Sequence, residues 1–224
     1  MIKSIIFDFD GVILESAGIK TEAFKEIFAD VFIGQPEKLQ RVMDYHIRNA
    51  GISRFVKFRY AYEQLLHEQL SKDKETELGE KFARVVYDKV IAAPFVPGAR
   101  KFLERNRDSY LFFIASGTPE QELSRIIKAR HLGSFFKEVH GSPKEKKDII
   151  TDVMERHGFS RDEVAYVGDA ESDRLAAESS RVIFIERSPG SKAVFSSGEN
   201  IIGDLADLDS AIEYINRSIS KTHI

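Results

Sequence analysis

The chain has 224 residues, of which 42% are hydrophobic, enough for one sizeable domain or for one domain with an insertion. The formal net charge of -3 argues against a nucleic-acid-binding protein, and the absence of cysteine excludes disulfides and thiolate metal sites. No hydrophobic run reaches membrane-spanning length and no signal-peptide pattern opens the sequence, so we expect a cytoplasmic protein without nucleic-acid or membrane partners. The sequence leaves open whether it is a monomer or a homodimer.

Short hydrophobic runs along the chain predict buried parallel strands. The runs lack strict alternation of polar and apolar residues, as expected when both faces of a sheet are covered. They lie at 4–9, 110–116, 163–168 and 181–186, with a weaker candidate at 137–141. Helical segments separate the later runs, and two of these begin with capping-box patterns, Thr118 with Gln121 and Ser142 with Glu145. Strands that alternate with helices predict an α/β fold with a doubly wound, Rossmann-like parallel sheet.

The connection between the first two predicted strands is about a hundred residues long, far beyond an ordinary crossover. Most of it shows helical periodicity, with apolar faces formed by Phe24, Ile27, Phe28, Val31 and Phe32, by Phe55, Tyr62, Leu65, Leu66 and Leu70, and by Leu78, Phe82, Val85, Val86 and Val90. The run PFVPG at 94–98 is predicted to be a hinge. We therefore expect an α-helical domain at 17–93, inserted into a core formed by 1–16 and 94–224. A single long helical crossover is the alternative.

Polar residues follow the predicted strands where each strand ends. They are carboxylates, a hydroxyl, a glycine and lysines: Asp8, Asp10, Ser116, Gly117, Lys144, Lys146, Lys147, Asp169 and Asp173. Ligands of open α/β sheets bind at the carboxyl ends of the strands, so we expect these groups to meet. Clustered carboxylates need a cation, for which oxygen ligands favour Mg²⁺, whereas the hydroxyl and the lysines suit a phosphate. Each residue alone could be a turn, cap or surface residue, but their convergence favours a site.

Four ordered motifs resemble those of the haloacid-dehalogenase-like (HAD) superfamily of phosphohydrolases. They are DFDGVILES, IASGT, GSPKEKKDII and VGDAESD, and the resemblance covers nearly the whole chain. The branch that the chain resembles contains phosphoglycolate phosphatase-like and β-phosphoglucomutase-like proteins, and the helical insertion looks like the cap domain of that branch. One departure is Glu15, which stands where the branch usually has an aspartate. The change keeps the charge.

The resemblance implies a Mg²⁺-dependent phosphatase that hydrolyses a small phosphomonoester, a sugar phosphate or a phospho-acid, through an aspartyl-phosphate intermediate. It implies that Asp8 is the nucleophile and that Asp10 protonates the leaving alcohol and then activates water. It also implies that Asp8, the backbone carbonyl of Asp10 and Asp169 bind the metal. Asp173 is expected to bind a metal-bound water or the family lysine.

The same resemblance implies which groups bind the phosphate. Gly11 lets the backbone approach it closely, and Ser116 and the Gly117 N–H are expected to donate hydrogen bonds to its oxygens. A lysine balances the charge of the nucleophile and the phosphate. The spacing of the third motif favours Lys146 for this role, with Lys144 as the second choice.

Basic residues of the insertion are the candidates for selecting the substrate. Arg54, in GISRF, is the preferred anchor because arginine binds carboxylates and phosphates in a bidentate manner, and Lys57 is the weaker candidate. An exposed basic helix face is the alternative for both. If Arg54 binds the substrate, an acidic or sugar phosphate is expected rather than a neutral one.

Three other functions are compatible with parts of the pattern. A phosphomutase of the β-phosphoglucomutase type uses the same first-motif acids and stays open. A dehalogenase is disfavoured because it typically lacks the second aspartate, which is present here as Asp10. A non-catalytic phosphate-binding module, such as a receiver domain, is disfavoured because receivers lack a large insertion and place their aspartate after a later strand.

Overall fold

In the computed structural model, which describes residues 1–196 and 199–222, the chain folds around one seven-stranded sheet. The strands are β1 (Ser4–Phe7), β2 (Leu111–Pro119), β3 (Phe136–Ser142), β4 (Val164–Gly168), β5 (Ile183–Arg187), β6 (Val194–Phe195) and β7 (Asn200–Ile202). Their order is β3-β2-β1-β4-β5-β7-β6, and every pair is parallel except β6 with β7. The predicted parallel α/β sheet is confirmed, and the two short strands β6 and β7 were not predicted.

The helices are α1 (Ala17–Val31), α2 (Pro36–Arg48), α3 (Arg54–Arg59), α4 (Lys72–Ala92), α5 (Ala99–Asn106), α6 (Glu120–Ala129), α7 (Lys146–His157), α8 (Glu171–Ser180) and α9 (Leu208–Thr222). A π-helical segment, Tyr60–Leu66, continues directly from α3. Among these described helices none combines the length and the hydropathy needed to cross a membrane.

Helices cover both faces of the sheet, which is why its strands are continuous apolar runs. Neighbouring side chains of β1 point to opposite faces. Ile6 belongs to the hydrophobic cluster that includes α7 and α8, whereas Phe7 packs with α5, α6 and α9. The ring of Phe7 lies 6.3 Å from the ring of Phe102 in α5. The sheet is therefore doubly wound.

The order of the strands reverses between β1 and β4. From β1 the chain runs outward through β2 and β3 on one side, and later through β4 and β5 on the other side. The pairing of Phe7 with Val167 aligns the ends of β1 and β4. In such sheets the crevice at the carboxyl ends of the two strands where the order reverses is the usual ligand site.

Helices α1 to α4 lie between β1 and α5 in the chain and pack on one another. The rings of Phe24, Phe28, Phe58 and Phe82 join α1, α3 and α4, and His46 of α2 stacks on Phe24. These buried residues and those on the Phe7 face of the sheet form one continuous hydrophobic cluster. Residues 17–93, which separate β1 from α5 in the chain, are called the insertion. The division into a core domain at 1–16 and 94–224 and a cap domain at 17–93 stays a prediction.

Both predicted capping boxes are wrong. Strand β2 continues to Pro119, so Thr118 lies in the sheet, and β3 continues to Ser142. The residues that precede α6 and α7 make no side-chain cap. The pairing of Pro119 with Ser142 extends the sheet across both segments, and this keeps Thr118 and Ser142 out of the cap positions.

Candidate active site

Asp8 lies immediately after β1, and its carboxylate is buried. Its N–H donates to the carbonyl of Val167 at 2.9 Å, which continues the pairing of β1 with β4 by one residue. The Phe9 N–H donates to Oδ1 at 2.6 Å, and Nζ of Lys146 donates to Oδ2 at 3.0 Å. Burial raises the pKa of Asp8 to about 7, although the charge of Lys146 opposes this. The backbone thus holds a carboxylate with an elevated pKa at the point where the strand order reverses.

Asp169 follows β4 and approaches the loop after Asp8. Gly11 has a φ of +81°, and a Cβ atom there would lie 2.0 Å from Oδ2 of Asp169, so the site requires glycine at this position. Within 1–196 and 199–222, carboxylate oxygens of Asp8, Asp169 and Asp173 lie within 4.8 Å of one another. Burial, followed by the charge of Asp8, raises the pKa of Asp169 to about 8. Three carboxylates this close repel one another, and an all-oxygen set fits a hard divalent cation such as Mg²⁺.

Lys146 is the first residue of α7 and is buried between two carboxylates. Its Nζ donates to Asp8 and, at 2.6 Å, to Oδ1 of Asp173. Burial lowers the pKa of Lys146, but the charges of Asp173 and Asp8 outweigh it and hold the pKa above its ordinary value. Lys146 is therefore a cation in contact with Asp8.

The other two lysines of the third motif do not reach this cluster. Lys144 pairs with Asp152, and Nζ of Lys147 lies 3.0 Å from Oε2 of Glu145. Of the lysines that the sequence left open, Lys146 is the one that the fold brings to Asp8. Its role in the reaction stays a prediction.

Asp173 is completely buried, so it is not an exposed acid of the first turn of α8. The hydroxyl of Tyr166 lies 2.6 Å from Oδ1, which also accepts from Lys146, and the Ala170 N–H donates to Oδ2 at 3.1 Å. Asp173 thus contacts the lysine, which is one of the two roles expected for it.

Asp10 has hydrogen-bond partners of its own. Lys20 pairs with Oδ2, the Thr118 hydroxyl donates to the same oxygen at 2.8 Å, and the Ser16 hydroxyl donates to Oδ1 at 2.6 Å. Burial raises the pKa of Asp10, but the charge of Lys20 and these hydrogen bonds outweigh it, so the pKa lies below its ordinary value. Asp10 is therefore ionised in this arrangement.

Ser116 and Gly117 lie near the end of β2, in the wall of the same cavity as Asp8. Gly117 contacts a loop of the insertion, because a Cβ atom there would lie 2.3 Å from the carbonyl oxygen of Gly51. The same loop is attached to α8, since the Ser172 hydroxyl donates to the carbonyl of Ala50 at 2.8 Å. The insertion therefore touches the edge of the sheet where the phosphate is expected to bind.

These groups line a cavity of about 110 Å³ between the strand ends and the insertion. The sheet contributes Asp8, Asp10, Ser116, Gly117 and Asp169. The insertion contributes basic and aromatic side chains, namely Lys20, Phe24, His46, Arg54, Lys57 and Phe82. The cavity thus has an acidic wall on the sheet and a basic, aromatic wall opposite.

Arg54 and Lys57 both line this cavity and are buried, so neither lies on an exposed helix face. Nη2 of Arg54 donates to Oε1 of Glu122 in α6 at 2.7 Å, and its guanidinium carbon lies 4.2 Å from the centroid of the Phe82 ring. Lys57 lies 3.2 Å from Nδ1 of His46. Arg54 therefore already has a carboxylate partner, whereas the neighbour of Lys57 is an imidazole.

Glu15, the departure from the family pattern, binds Arg187 at the end of β5. Nη2 of Arg187 donates to Oε1 of Glu15 at 2.6 Å, and Nη1 donates to the carbonyl of Gly11 at 2.9 Å. The buried arginine thereby ties the loop after Asp8 to β5. The negative charge kept at Glu15 has this structural use.

Several residues of the site were not predicted from the sequence. Tyr166 could have been found from the sequence, because a hydroxyl within the buried run VAYVG needs a hydrogen-bond partner. No local pattern indicates Lys20 or Thr118, since Asp10, the partner of both, is 10 and 108 residues away along the chain. His46 lies on a helix face that the sequence does not distinguish from other helix faces.

Comparisons with known proteins agree with this geometry. The family model for haloacid dehalogenase-like hydrolases matches residues 2–181. Phosphoglycolate phosphatase of Aliivibrio fischeri is 24% identical over 186 residues, which cover 79% of this chain and 80% of that protein.

Solved structures share the fold over nearly the whole chain. A hydrolase from Pseudomonas syringae has a TM-score of 0.72 at 21% identity, covering 94% of this chain and 98% of the other. A protein from Bacteroides vulgatus, provisionally described as a β-phosphoglucomutase, has a TM-score of 0.73 at 13% identity, covering 96% and 89%. At these identities the similarity shows the fold alone. Since the family model matches residues 2–181 of 224, the chain belongs to the haloacid dehalogenase-like hydrolase family, and the predicted family and enzyme class are confirmed.

Proposed function

We propose that this protein is a Mg²⁺-dependent phosphatase that hydrolyses a small phosphomonoester through an aspartyl-phosphate on Asp8. The observation that carries the proposal is the position of Asp8, buried in the cavity wall between Lys146 and the carboxylate of Asp169. A nucleophile, a cation and a potential metal site therefore meet where one phosphoryl group could touch all three.

The metal site is part of this proposal. Asp8 and Asp169 would hold the ion, with the backbone carbonyl of Asp10, while Asp173 keeps Lys146 in place. Burial, together with repulsion from neighbouring carboxylates, raises the pKa of both Asp8 and Asp169, and this supports a cation here, because a bound cation would favour the ionised form of both groups. Bound Mg²⁺ would screen the negative charge of the nucleophile and of the phosphoryl oxygens.

In the first step, an oxygen of Asp8 attacks phosphorus, and the bond from phosphorus to the ester oxygen breaks. Lys146, the hydroxyl of Ser116 and the N–H of Gly117 bind the phosphoryl oxygens as their charge is redistributed. Asp10 donates a proton to the departing oxygen, so that the alcohol leaves as a neutral molecule.

In the second step, Asp10 as a carboxylate removes a proton from a water molecule, whose oxygen attacks phosphorus. Inorganic phosphate leaves, and Asp8 is restored. Asp10 must be protonated at the start of the cycle, although Lys20 lowers its pKa in this arrangement. Lys20 lines the same cavity, so an incoming phosphate competes for it, and a weaker pair with Lys20 raises the pKa of Asp10.

The size of the cavity supports a small substrate, and the name of the Aliivibrio fischeri relative supports a phospho-acid. The helices at 17–93 would act as the cap that closes over it. A phosphomutase of the β-phosphoglucomutase type stays the alternative, because it would use the same acids. The cytoplasmic location and the assembly state, monomer or homodimer, also stay predictions.

The test is a hydrolysis screen with phospho-acids, sugar phosphates, nucleotides and para-nitrophenyl phosphate, in Mg²⁺ and in EDTA. We expect release of inorganic phosphate in Mg²⁺ without a bisphosphate activator, and none in EDTA. Asp8→Asn should abolish it while leaving the fold intact, whereas Asp30→Asn, which removes an exposed carboxylate, should not. Full activity in EDTA, or near-normal activity of Asp8→Asn, would overturn the proposal, and a strict need for a bisphosphate would favour the phosphomutase.

A further inference from the structure

Lys57 is a buried cation without a carboxylate partner among the residues that the structure describes. Its side chain is 4% exposed, and its hydrogen-bond partners are Nδ1 of His46 at 3.2 Å and the carbonyl of His46 at 3.4 Å. The other cations of the site are each paired with a carboxylate, Lys20 with Asp10, Arg54 with Glu122, and Lys146 with Asp8 and Asp173. Lys57 is the exception among the basic side chains of the site.

The neutral imidazole of His46 fixes the position of the Lys57 ammonium group by accepting a hydrogen bond from it. The ring of His46 stacks on Phe24 with the centroids 4.3 Å apart, and its Nε2 lies 3.1 Å from the Thr21 hydroxyl. Burial and the charge of Lys57 lower the pKa of His46 to about 3, so the imidazole is neutral. A neutral imidazole accepts at Nδ1 from the ammonium group and donates at Nε2 to Thr21. Since the carbonyl of His46 is a second acceptor, one of the three ammonium protons is left for another acceptor.

A buried ammonium group without a counterion is electrostatically unfavourable. Burial, and then the charges of Lys20 and Lys146, lower the pKa of Lys57 to about 7, in keeping with this. An anion bound beside Lys57 would act as the counterion of the ammonium group and raise the pKa of Lys57 toward its ordinary value. The free site is thus arranged to receive a negative charge that the protein itself does not supply.

We propose that Lys57 binds a carboxylate at the non-reacting end of the substrate, so that the enzyme prefers phosphomonoesters of small hydroxy acids to neutral ones. This inference rests on the proposed phosphatase function and names its substrate class. Lys57 and Asp8 line the same cavity, one on the insertion and the other on the sheet, so a single short molecule can span them. The charge of Lys57 would then favour substrates whose non-reacting end is negatively charged.

The charge of Lys57 favours a carboxylate over a second phosphate. The ammonium group carries a single positive charge, which a carboxylate balances, whereas a phosphate monoester carries about -1.5 to -2 at pH 7. The centroid of the Phe24 ring lies 5.9 Å from Nζ of Lys57, and this ring offers no hydrogen bond to the further oxygens of a phosphate.

Arg54 is the weaker candidate for this role, although the sequence favoured it. Its guanidinium already binds Glu122 and stacks on Phe82, so an incoming carboxylate would compete with Glu122. Lys57 has no such competitor, and its two contacts with His46 leave the ammonium group with one proton to donate.

The experiment compares phosphomonoesters of two- to four-carbon hydroxy acids, starting with phosphoglycolate, with diol monophosphates of the same length, starting with 2-hydroxyethyl phosphate. The quantity measured is the ratio of kcat/KM for the acid to kcat/KM for its neutral partner. We expect wild type to favour the acid and Lys57→Met to lower this ratio roughly ten- to a hundred-fold, as for the loss of a charge-assisted hydrogen bond. Lys57→Arg, which keeps the charge, should retain part of the preference. Arg48→Met, which removes an exposed cation of α2, should leave the ratio unchanged.

A structural role for Lys57 predicts a different result. Lys57→Met would then lose activity equally on both substrates, and its Tm would fall, whereas removal of an unpaired buried charge should leave Tm unchanged or higher. Either an equal loss or an unchanged ratio would overturn the inference, and Lys57→Gln serves as the second variant if Lys57→Met does not fold. A wild-type preference for a bisphosphate over the carboxylate would also overturn it. If wild type hydrolyses none of the esters, the proposed function itself fails, and that result is distinct from an unchanged ratio.

Discussion

The contact of the insertion with the sheet edge can be tested with two glycines that share a backbone conformation. Gly51 has a φ of +78°, and a Cβ atom there would lie 2.4 Å from Oγ of Ser172 and 2.9 Å from Nζ of Lys146. Gly34, in the turn between α1 and α2, has a φ of +74°, and nothing lies within 4 Å of a Cβ atom there. Alanine at both positions therefore separates backbone strain from steric conflict with the site.

Both substitutions should lower stability, but only Gly51→Ala should also lower kcat/KM. Alanine at either position adopts a left-handed conformation that costs about 1–2 kcal/mol of stability. At Gly51 the methyl group displaces the Ser172 hydroxyl and the Lys146 ammonium group from their hydrogen-bond partners, and this adds about 1–3 kcal/mol. If the insertion moves away to relieve the conflict, the closed site is disfavoured by that amount, and kcat/KM falls roughly 5- to 150-fold. Gly34→Ala should lose stability only.

The assay is kcat/KM on para-nitrophenyl phosphate in Mg²⁺, together with the free energy of unfolding in urea. Gly51→Ala with Ser172→Ala removes the oxygen nearest to the new methyl group and should recover part of the activity. If Gly51→Ala turns over substrate as fast as Gly34→Ala, the contact of the loop with Ser172 and Lys146 is not part of the active arrangement, and the reasoning is refuted.

Three further predictions follow from the site. Asp10→Asn should slow hydrolysis of alkyl phosphates roughly 100- to 10,000-fold, yet still release a burst of para-nitrophenolate, whose departure needs no proton; normal alkyl-phosphate turnover would contradict its acid–base role. Burial raises the pKa of Asp8 to about 7 and of Asp169 to about 8, so these two groups bind more protons in the metal-free folded protein than in the unfolded chain; their effect outweighs the opposite effect of the lowered pKa values of His46 and Lys57, and stability should fall as the pH rises from about 4 to 8. Thermal denaturation in EDTA should therefore give a lower Tm at pH 8 than at pH 5, Mg²⁺ should raise Tm more at pH 8, and a pH-independent Tm would speak against the elevated pKa values. Tyr166→Phe removes a hydroxyl 2.6 Å from Asp173 and should cost about 1.5–3 kcal/mol in urea unfolding; an unchanged free energy would mean that Asp173 does not need it.

The strands and the carboxylates that follow them could be predicted from local sequence. Buried parallel strands are continuous apolar runs, so β1, β2, β4 and β5 stood out, and the polar residue after each run marks the edge of the sheet. Local patterns were less reliable at the ends of the strands. β1 ends at Phe7, before the predicted run does, and β2 continues to Pro119 because it pairs with β3 there.

Which of three nearby lysines reaches Asp8 was decided by the tertiary structure. Successive residues of an α-helix point about 100° apart, so Lys147 leaves the site on a different side of α7 from Lys146. Lys144 precedes the helix and pairs with Asp152. Sequence spacing favoured Lys146, but the packing of α7 against the sheet directs its side chain to Asp8.

The sequence by itself determined that basic residues lie in the insertion, whereas only the tertiary structure decided which of them is neutralised. Arg54 and Lys57 are one helical turn apart and carry the same charge. Glu122, 68 residues further along the chain, pairs with Arg54, and a neutral imidazole from α2 is the neighbour of Lys57. Coulomb interactions depend on the distance in space and on burial, neither of which the order of residues along the chain contains.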